Sequence, residues 1–276
     1  MTPFAIAGLQ LEIHADRPNL DHVRSKIELC MHLFPWVQMV VVSELATYGP
    51  LLANAQALPG QAEEAYQRLA EKHRIWLLPG SVYERAAGPR GEPVIYNTAP
   101  VINPRGEVIA RYRKMFPFLP YETGVEWGTE FCVFDVPDVG RFGVSICYEA
   151  IVPSFYRKVM ANKVNVAVNL TNDSWFGVTA EPYQHGALAV FRAVESRVPL
   201  IRVTNTGTSF SVDTLGRIGE QTGVYQEGVQ NQTIYYSEVP PLTPYIRFGD
   251  WFAWSLGVIL VAFLIWVWRN DASLSH

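Results

Sequence analysis

Apolar residues along this chain recur with two different periods. Continuous apolar runs of strand length occupy 37–42 and 75–82, and similar runs return further along. Between them, apolar positions come back every three or four residues, which is the spacing of a helix with one buried face. Over 19–34 that face consists of Leu20, Val23, Ile27 and Cys30 or Met31. Strands too apolar to face water, interleaved with such helices, predict an α/β fold whose sheets are covered by helices.

The elements predicted from this pattern fill 1–240, which we interpret as one main domain. Helices are predicted over 19–34, 61–73, 152–163 and about 182–197. Strands are predicted over 1–10, 37–42, 75–82, 131–136, 142–146, 164–170, 200–204, 209–213 and 233–237, with a hairpin over 96–112 that turns at 103–106.

The C-terminal pattern is of another kind, because 251–268 contains no charged residue. At about 1.5 Å per residue a helix of this length reaches roughly 27 Å, the thickness of a bilayer's hydrocarbon core. Its ends carry the tryptophans Trp251, Trp254, Trp266 and Trp268. Amphipathic rings favour the headgroup level, so a transmembrane helix is predicted, with a buried terminal helix as the alternative. The remaining boundaries are a linker over 241–250 and a short tail over 269–276.

Composition and charge narrow the function classes. The formal net charge of −4 comes without a long charged block, so nothing indicates a nucleic-acid partner. The thiols Cys30, Cys132 and Cys147 form no CxxC pair and no metal-ligand spacing, and the first ten residues do not read as a secretory signal. Free thiols in a reducing compartment are therefore expected, with no metal or cofactor.

The charges that flank the predicted span do not fix its orientation, because Arg247 and Asp250 precede it and Arg269 and Asp271 follow it. We expect a cytoplasmic catalytic domain on a single-pass anchor.

Three predicted strands end in ionisable residues of different kinds. Glu44 follows 37–43, Lys114 follows 108–113, and Cys147 ends the run that starts at Phe142. An unpaired cysteine is usually a small buried hydrophobe, and a glutamate beside a lysine is often a surface ion pair. Together, however, a carboxylate, an ammonium and a thiol supply a base, an oxyanion partner and a nucleophile for covalent acyl transfer.

This chemistry predicts a role for each side chain. A thiol with a pKa of about 8.5 is only a few per cent ionised at neutral pH, so it needs a base. Glu44 would take the proton of Cys147 and return it to the departing nitrogen. Lys114 and the backbone N–H of Tyr148 would stabilise the tetrahedral oxyanion. An acyl thioester on Cys147 is the predicted intermediate.

The order and spacing of these three residues resemble those of the nitrilase, or carbon-nitrogen hydrolase, superfamily. Within it, the chain looks most like the catalytic domain of the apolipoprotein N-acyltransferases. The matching stretches are Cys147-Tyr-Glu149, 170–177, Gln184-His185, 191–195, 199–207 and 243–251. The resemblance implies an αββα sandwich with a Glu-Lys-Cys triad, followed here by the C-terminal transmembrane helix, and it implies homo-oligomers.

The resemblance also carries two supporting glutamates. Glu122 stands eight positions after Lys114, the interval that separates the triad lysine from a second active-site glutamate in the family. It is expected to orient Lys114 or to share the proton transfer. Glu149 is expected to fix the loop after the nucleophile. The loop 115–121 departs from the His-Leu-Val-Pro-Phe-Gly-like run of the acyltransferases.

The acceptor of the acyl group separates three hypotheses. The acyltransferases carry several membrane helices before the catalytic domain, and none precedes Met1 here. Water is therefore the preferred acceptor, which predicts an amidase-like carbon-nitrogen hydrolase acting on a small or lipid-like amide. The alternative is transfer to an amine of a lipid or lipoprotein, and the third hypothesis is an inactive membrane scaffold.

Several other residues have a structural and a functional interpretation. Trp175 and Phe176 could line the substrate mouth or fill the core. For His185, hydrogen bonding is favoured over metal ligation, because no second histidine or cysteine stands at metal spacing. Asn172 and Asp173 are interpreted as a turn after a strand. Cys30 and Cys132 are interpreted as packing residues.

Overall fold

The computed structural model of this chain describes residues 2–88 and 90–274. In chain order the strands are β1 (Thr2–Gln10), β2 (Met39–Val42), β3 (Trp76–Leu78), β4 (Val82–Ala87), β5 (Pro93–Ile102), β6 (Val108–Arg113), β7 (Cys132–Val136), β8 (Gly140–Ile146), β9 (Val166–Leu170), β10 (Leu200–Val203), β11 (Phe210–Val212), β12 (Ile218–Gln221) and β13 (Gly228–Tyr236). The helices are α1 (Leu20–Leu33), α2 (Gln61–His73), α3 (Pro153–Met160), α4 (Glu181–Ser196), α5 (Pro244–Phe248) and α6 (Trp251–Leu274).

These strands form two sheets. The first has the order β13-β1-β2-β3-β5-β4, and β6 also pairs with β5; the second has the order β12-β11-β10-β9-β8-β7. The central strands run parallel, namely β1, β2 and β3 in one sheet and β8, β9 and β10 in the other. Residues that follow parallel strands emerge at the same edge of a sheet, where α/β proteins commonly place their ligands.

The two sheets pack face to face, and helices cover their outer faces. Aromatic rings bridge the inner faces, with centroids 5.5 Å apart for Phe4 and Phe142 and 5.6 Å apart for Trp76 and Phe134. Helices α1 and α2 bury Ile27 and other apolar residues against the first sheet, whereas α3 and α4 lie against the second. This arrangement confirms the predicted αββα sandwich.

The element boundaries follow the apolar pattern in most places, but most of β4, all of β12 and the first half of β13 were not predicted. The apolar run 75–82 does not form one strand, because it breaks between β3 and β4 at Gly80, whose φ is +87°. A Cβ at Gly80 would lie 2.0 Å from the carbonyl oxygen of Ser43, so only glycine fits there. Strand β12 was not predicted, because all four of its residues are exposed and lack an apolar alternation.

The C-terminal segment leaves the sandwich through a short helical joint. Within the predicted linker 241–250, α5 is capped by Thr243, whose Oγ1 accepts from the backbone N–H of Ile246 at 3.2 Å and donates to the carbonyl of Glu195 at 2.6 Å. Helix α6 then carries a stretch, Trp251–Asn270, that is long and apolar enough to cross a membrane and is not buried by the rest of the chain. The alternative of a buried terminal helix does not fit this exposure. The predicted tail 269–276 extends past the described residues, which end at 274.

Candidate active site

The three side chains predicted from strand ends come together between the two sheets. Glu44 follows β2, Lys114 follows β6, and Cys147 follows β8, where it begins a short 3-10 helix, Cys147–Ile151. Each of the three residues is at most 1% exposed. Lys114 Nζ lies 2.8 Å from Glu44 Oε1. The fold therefore gathers a carboxylate, an ammonium and a thiol that are separated by up to about a hundred residues of sequence.

Lys114 is bound by two buried carboxylates rather than one. Its Nζ is 2.8 Å from Glu44 Oε1 and 2.5 Å from Glu122 Oε2. The Nδ2 group of Asn97 donates to both carboxylates as well, at 2.8 Å each. Burial lowers the pKa of Lys114, but the charges of Glu44 and Glu122 outweigh it and hold that pKa well above its usual value. The two carboxylates thus stabilise the charged form of Lys114.

The Glu44 carboxyl is placed to exchange a proton. Burial raises its pKa above the usual value, although the charge of Lys114 and hydrogen bonds to Lys114 and Cys147 lower it. Its second oxygen, Oε2, accepts from the backbone N–H of Asn172 at 2.8 Å. A carboxyl whose pKa is raised from the usual 4.5 is a better proton acceptor than an ordinary glutamate.

Cys147 sits in a strained turn. Its φ of +52° is in the left-handed region, which non-glycine residues rarely adopt and which clusters at functional sites. The thiol Sγ lies 3.9 Å from the carbonyl oxygen of Asn172. Burial and the negative charges of Glu44, Asp173 and Glu122 raise its pKa well above the usual value, and Lys114 opposes them. These effects favour the neutral thiol, which a neighbouring carboxylate such as Glu44 could deprotonate.

Glu149 ties the nucleophile turn to the lysine loop. Its carboxylate accepts from the backbone N–H groups of Ile146 at 2.7 Å and Met115 at 2.6 Å, and from the Tyr112 hydroxyl at 2.7 Å. Burial raises the pKa of Glu149 to about 7, against the effect of these donors and of Lys114. A buried carboxylate with donors from two loops fixes the position of both.

Aromatic side chains line one flank of the site. Phe118 lies against Tyr148 with the two rings tilted and their centroids 5.1 Å apart, and it meets Phe176 at a centroid distance of 5.6 Å. Tyr121, which is 48% exposed, lies 5.5 Å from Trp175. We call these five residues the aromatic flank. Trp175 and Phe176 are partly buried and belong to it. Trp175 also packs against a small core cluster that includes Leu45 and Tyr83, so lining of the substrate mouth stays a prediction.

A second charged group lies behind the nucleophile. Asp173 and His185 are bonded at 3.0 Å, and Arg202 bonds the other oxygen of Asp173 at 2.8 Å. Asp173, Glu181 and His185 each place one potential metal-ligand atom within 4.8 Å of the other two. The Arg202 guanidinium already neutralises Asp173, so these residues do not fit a metal cation. The hydrogen-bonding interpretation of His185 agrees with this geometry.

Sequence reasoning missed Asn97 and the backbone of Asn172. Asn97 lies inside β5, in a stretch predicted only as a hairpin, and nothing in its neighbourhood marks it as facing the glutamates. The role of Asn172 is carried by its main chain, which a residue name does not reveal. The position after β9 was the available signal, because polar residues that follow a parallel strand gather at the ligand edge.

With this geometry in place, comparison with known proteins defines the class. Residues 5–241 match the sequence model of the carbon-nitrogen hydrolase family. The chain therefore belongs to the carbon-nitrogen hydrolase family. The match begins within β1, covers the rest of the sandwich and stops before α5 and α6.

Particular relatives are more specific. The apolipoprotein N-acyltransferase of Geobacter metallireducens is 36% identical over 195 residues, covering 63% of this chain and 37% of that protein. That of Bdellovibrio bacteriovorus is 39% identical over 139 residues, covering 50% of this chain and 25% of that protein. The chain thus spans well under half the length of these curated relatives.

Solved structures confirm the fold. Saccharomyces cerevisiae Nit3, a member of branch 10 of the nitrilase superfamily, superposes with a TM-score of 0.73 at 22% identity, covering 87% of this chain and 90% of that one. An amidase from Nesterenkonia sp. gives 0.71 at 22% identity, covering 84% and 90%. At these identities the likeness concerns the nitrilase-type sandwich alone.

Proposed function

We propose that this chain is a thiol-dependent acyl-transfer enzyme that forms a thioester on Cys147 and passes the acyl group to an amine. The observation that carries the proposal is the buried contact of Glu44 with Lys114 beside the Cys147 thiol. Its similarity over half or more of the chain to enzymes named apolipoprotein N-acyltransferase supports an amine as the acceptor. The sequence alone favoured water as the acyl acceptor and an amine as the alternative, whereas this proposal favours the amine.

The first half-reaction makes the thioester. Glu44 takes the Cys147 proton as Sγ attacks the carbonyl carbon of the acyl donor, which creates a tetrahedral oxyanion. Lys114 Nζ and the backbone N–H of Tyr148 stabilise that oxyanion, and removal of one such donor costs about 3–4 kcal/mol of barrier. The intermediate then collapses, the bond to the leaving group breaks, and Glu44 returns its proton to that group.

The second half-reaction runs the same steps with a new nucleophile. An amine loses a proton to Glu44 as its nitrogen attacks the thioester carbonyl, and Lys114 again faces the oxyanion. Collapse breaks the C–S bond and releases an amide, and the proton on Glu44 returns to Cys147. Glu122 holds Lys114 in place through its ion pair, and Asn97 holds Glu44 in place through its hydrogen bond.

We further propose that α6 anchors the enzyme as a single membrane span. The exposed, apolar stretch Trp251–Asn270 supports this placement. In this proposal 1–240 is the catalytic domain, 241–250 the joint and 251–268 the anchor. The acyl chain of a lipid would pack against the apolar rings of the aromatic flank, which supports a lipid-like acyl donor.

Water as the acceptor is the second candidate. The description of the matching family, carbon-nitrogen hydrolase, favours it. The thioester is common to both candidates, and they differ only in what attacks it. The aromatic flank and Lys114 would act in the same way with either acceptor.

The test uses the full chain in detergent. The native protein and the Cys147→Ala variant are offered butyramide in one series, and a phospholipid with a peptide that has a free α-amine in another. Mass spectrometry should find an acyl adduct on Cys147, and amide formation should exceed hydrolysis when the peptide is present. If neither donor acylates the native chain, or if the Cys147→Ala chain is acylated equally, the proposal is wrong. Acylation with only hydrolysis would select the second candidate.

A further inference from the structure

The charged group behind Cys147 is more completely buried than a solvated ion pair. Asp173, His185 and Arg202 are each at most 2% exposed. Arg202 also donates to Asn169 Oδ1 at 3.1 Å and Thr171 Oγ1 at 3.2 Å. Taking a charge out of water costs several kcal/mol per ion unless its partners are well placed. Burial of these three residues is therefore tolerated only while their hydrogen bonds to one another hold them in one arrangement.

This group reaches the backbone on both sides of the thiol. His185 Nε2 lies 3.4 Å from the carbonyl oxygen of Cys147 itself. Asp173 directly follows Asn172, whose N–H donates to Glu44 and whose carbonyl faces the thiol at 3.9 Å. One network therefore touches the nucleophile turn and the strand-end loop that aligns the proposed base.

The surrounding packing leaves this group little freedom. A Cβ at Gly207 would lie 1.9 Å from Asp173 Oδ2, so the chain approaches the carboxylate as closely as only glycine permits. The N–H of Asp173 also donates to Asn205 Oδ1 at 3.0 Å. A left-handed Cys147 costs about 1–2 kcal/mol and persists only where its surroundings hold it. The carbonyl contact from His185 is one such restraint.

We propose that Asp173, His185 and Arg202 are positioning residues that hold the Cys147 turn and the Asn172 loop in register for acylation. The inference rests on the proposed function, because acylation is the reaction that they serve. Arg202 fixes Asp173, Asp173 accepts from Nδ1–H of His185 and so orients its imidazole, and the imidazole packs 3.4 Å from the carbonyl oxygen of Cys147. None of the three exchanges a proton with substrate.

The charge of Asp173 distinguishes a positioning role from a role in ionising the thiol. The negative charge of Asp173 contributes to the raised pKa of Cys147. Removing that charge alone should therefore favour the thiolate and speed a reaction that depends only on thiolate. A positioning role predicts the opposite for acylation, since a displacement of about 1 Å can cost on the order of 100-fold in rate.

The experiment compares two reactions in the same variants. Asp173→Asn and His185→Gln keep the approximate side-chain size, and Gln184→Ala is a matched control at an exposed position next to His185. Alkylation of Cys147 by iodoacetamide reports the thiolate, and single-turnover acylation by p-nitrophenyl butyrate reports the aligned site. We expect alkylation of Asp173→Asn to match or exceed the native rate, while the acylation rate constant falls by about 10- to 100-fold. The half-saturating ester concentration should stay within about twofold.

A second measurement does not depend on activity. Hydrogen exchange should quicken at the amides of 146–149 and 171–174 in His185→Gln, with the body of α4 unchanged, and Gln184→Ala should match the native chain. Equal acylation by the native and His185→Gln chains, or unchanged exchange at the turn, would overturn the positioning role. If the native chain forms no thioester, the proposed function fails, and the exchange result still decides whether the network holds the turn.

Discussion

Replacement of Lys114 by methionine tests the electrostatic design of the site most directly. Lys114 is fully buried, and its Nζ lies within 2.8 Å of Glu44 and 2.5 Å of Glu122. Methionine fills most of the same volume but leaves two neighbouring carboxylates buried without their cation. Removal of one partner from a buried pair costs about 3–5 kcal/mol. For a domain of this size that corresponds to a fall in Tm of roughly 6–20 °C.

The pH dependence of this loss has a definite sign. Burial already raises the pKa of Glu44 above its usual 4.5, and the charge of Lys114 opposes that rise. Without the lysine, the folded-state pKa rises further above the unfolded value. A group with a raised folded pKa contributes stability below its unfolded pKa and loses it as the pH rises through the folded one. The Lys114→Met deficit should therefore be larger at pH 8 than at pH 5.

The assay is thermal unfolding of the full chain in detergent, followed by near-ultraviolet circular dichroism at both pH values. Lys72→Met is the matched control, because Lys72 pairs with Glu28 at 2.6 Å but is 59% exposed, and surface pairs contribute about 1 kcal/mol or less. The double variant Lys114→Met/Glu122→Gln removes one of the two like charges and should recover part of the loss. A Lys114→Met chain as stable as Lys72→Met, or a deficit that is equal at pH 5 and pH 8, would refute the reasoning.

Three further predictions follow from the same structure. Glu149→Gln should reduce the change in unfolding free energy between pH 5 and pH 8. Burial raises the pKa of Glu149 from 4.5 to about 7, so the native chain loses stability as the pH rises through that range, and glutamine does not titrate. Urea titrations at both pH values measure the unfolding free energy, and an equal pH dependence in the native and variant chains would contradict the prediction. Asn97→Leu should cost about 2–3 kcal/mol by the same titration, since two buried carboxylates each lose a donor at 2.8 Å; a loss below about 0.5 kcal/mol would count against the bridge. Leu260→Arg, in the middle of α6, should release the chain from the membrane fraction because a central arginine disfavours insertion by about 2.5–3.5 kcal/mol, whereas Leu260→Ala should stay bound.

The fold and the convergence of the three strand-end residues were accessible from the sequence because both depend on burial. Helix α2 occupies 61–73 as predicted, and α1 falls within one residue of its predicted bounds at either end. Apolar runs mark where buried strands end, and parallel strands deliver their last residues to one edge. Glu44 and Cys147 each follow such a strand, one in each sheet, so their meeting also depends on the face-to-face packing of the two sheets.

The polar interior was not accessible in the same way. Arg202 lies within the predicted strand 200–204 and is fully buried, although an arginine in a strand ordinarily faces water. Its partner Asp173 comes from another loop, and no local pattern links the two. Asn97 is similar, because its amide contacts depend on glutamates far away in the sequence. Burial of such residues is decided by tertiary pairing, which periodicity does not encode.

The joint between the sandwich and α6 is short and tightly seated. Only Gly249 and Asp250 separate α5 from α6, Gly249 has a φ of +64°, and a Cβ there would collide with the Arg157 guanidinium. With α6 embedded in a bilayer, a connection of two residues would keep the sandwich close to the membrane surface. A membrane-anchored sandwich would then stay within a short reach of the lipid, which would favour substrates held in the membrane over substrates in bulk solution.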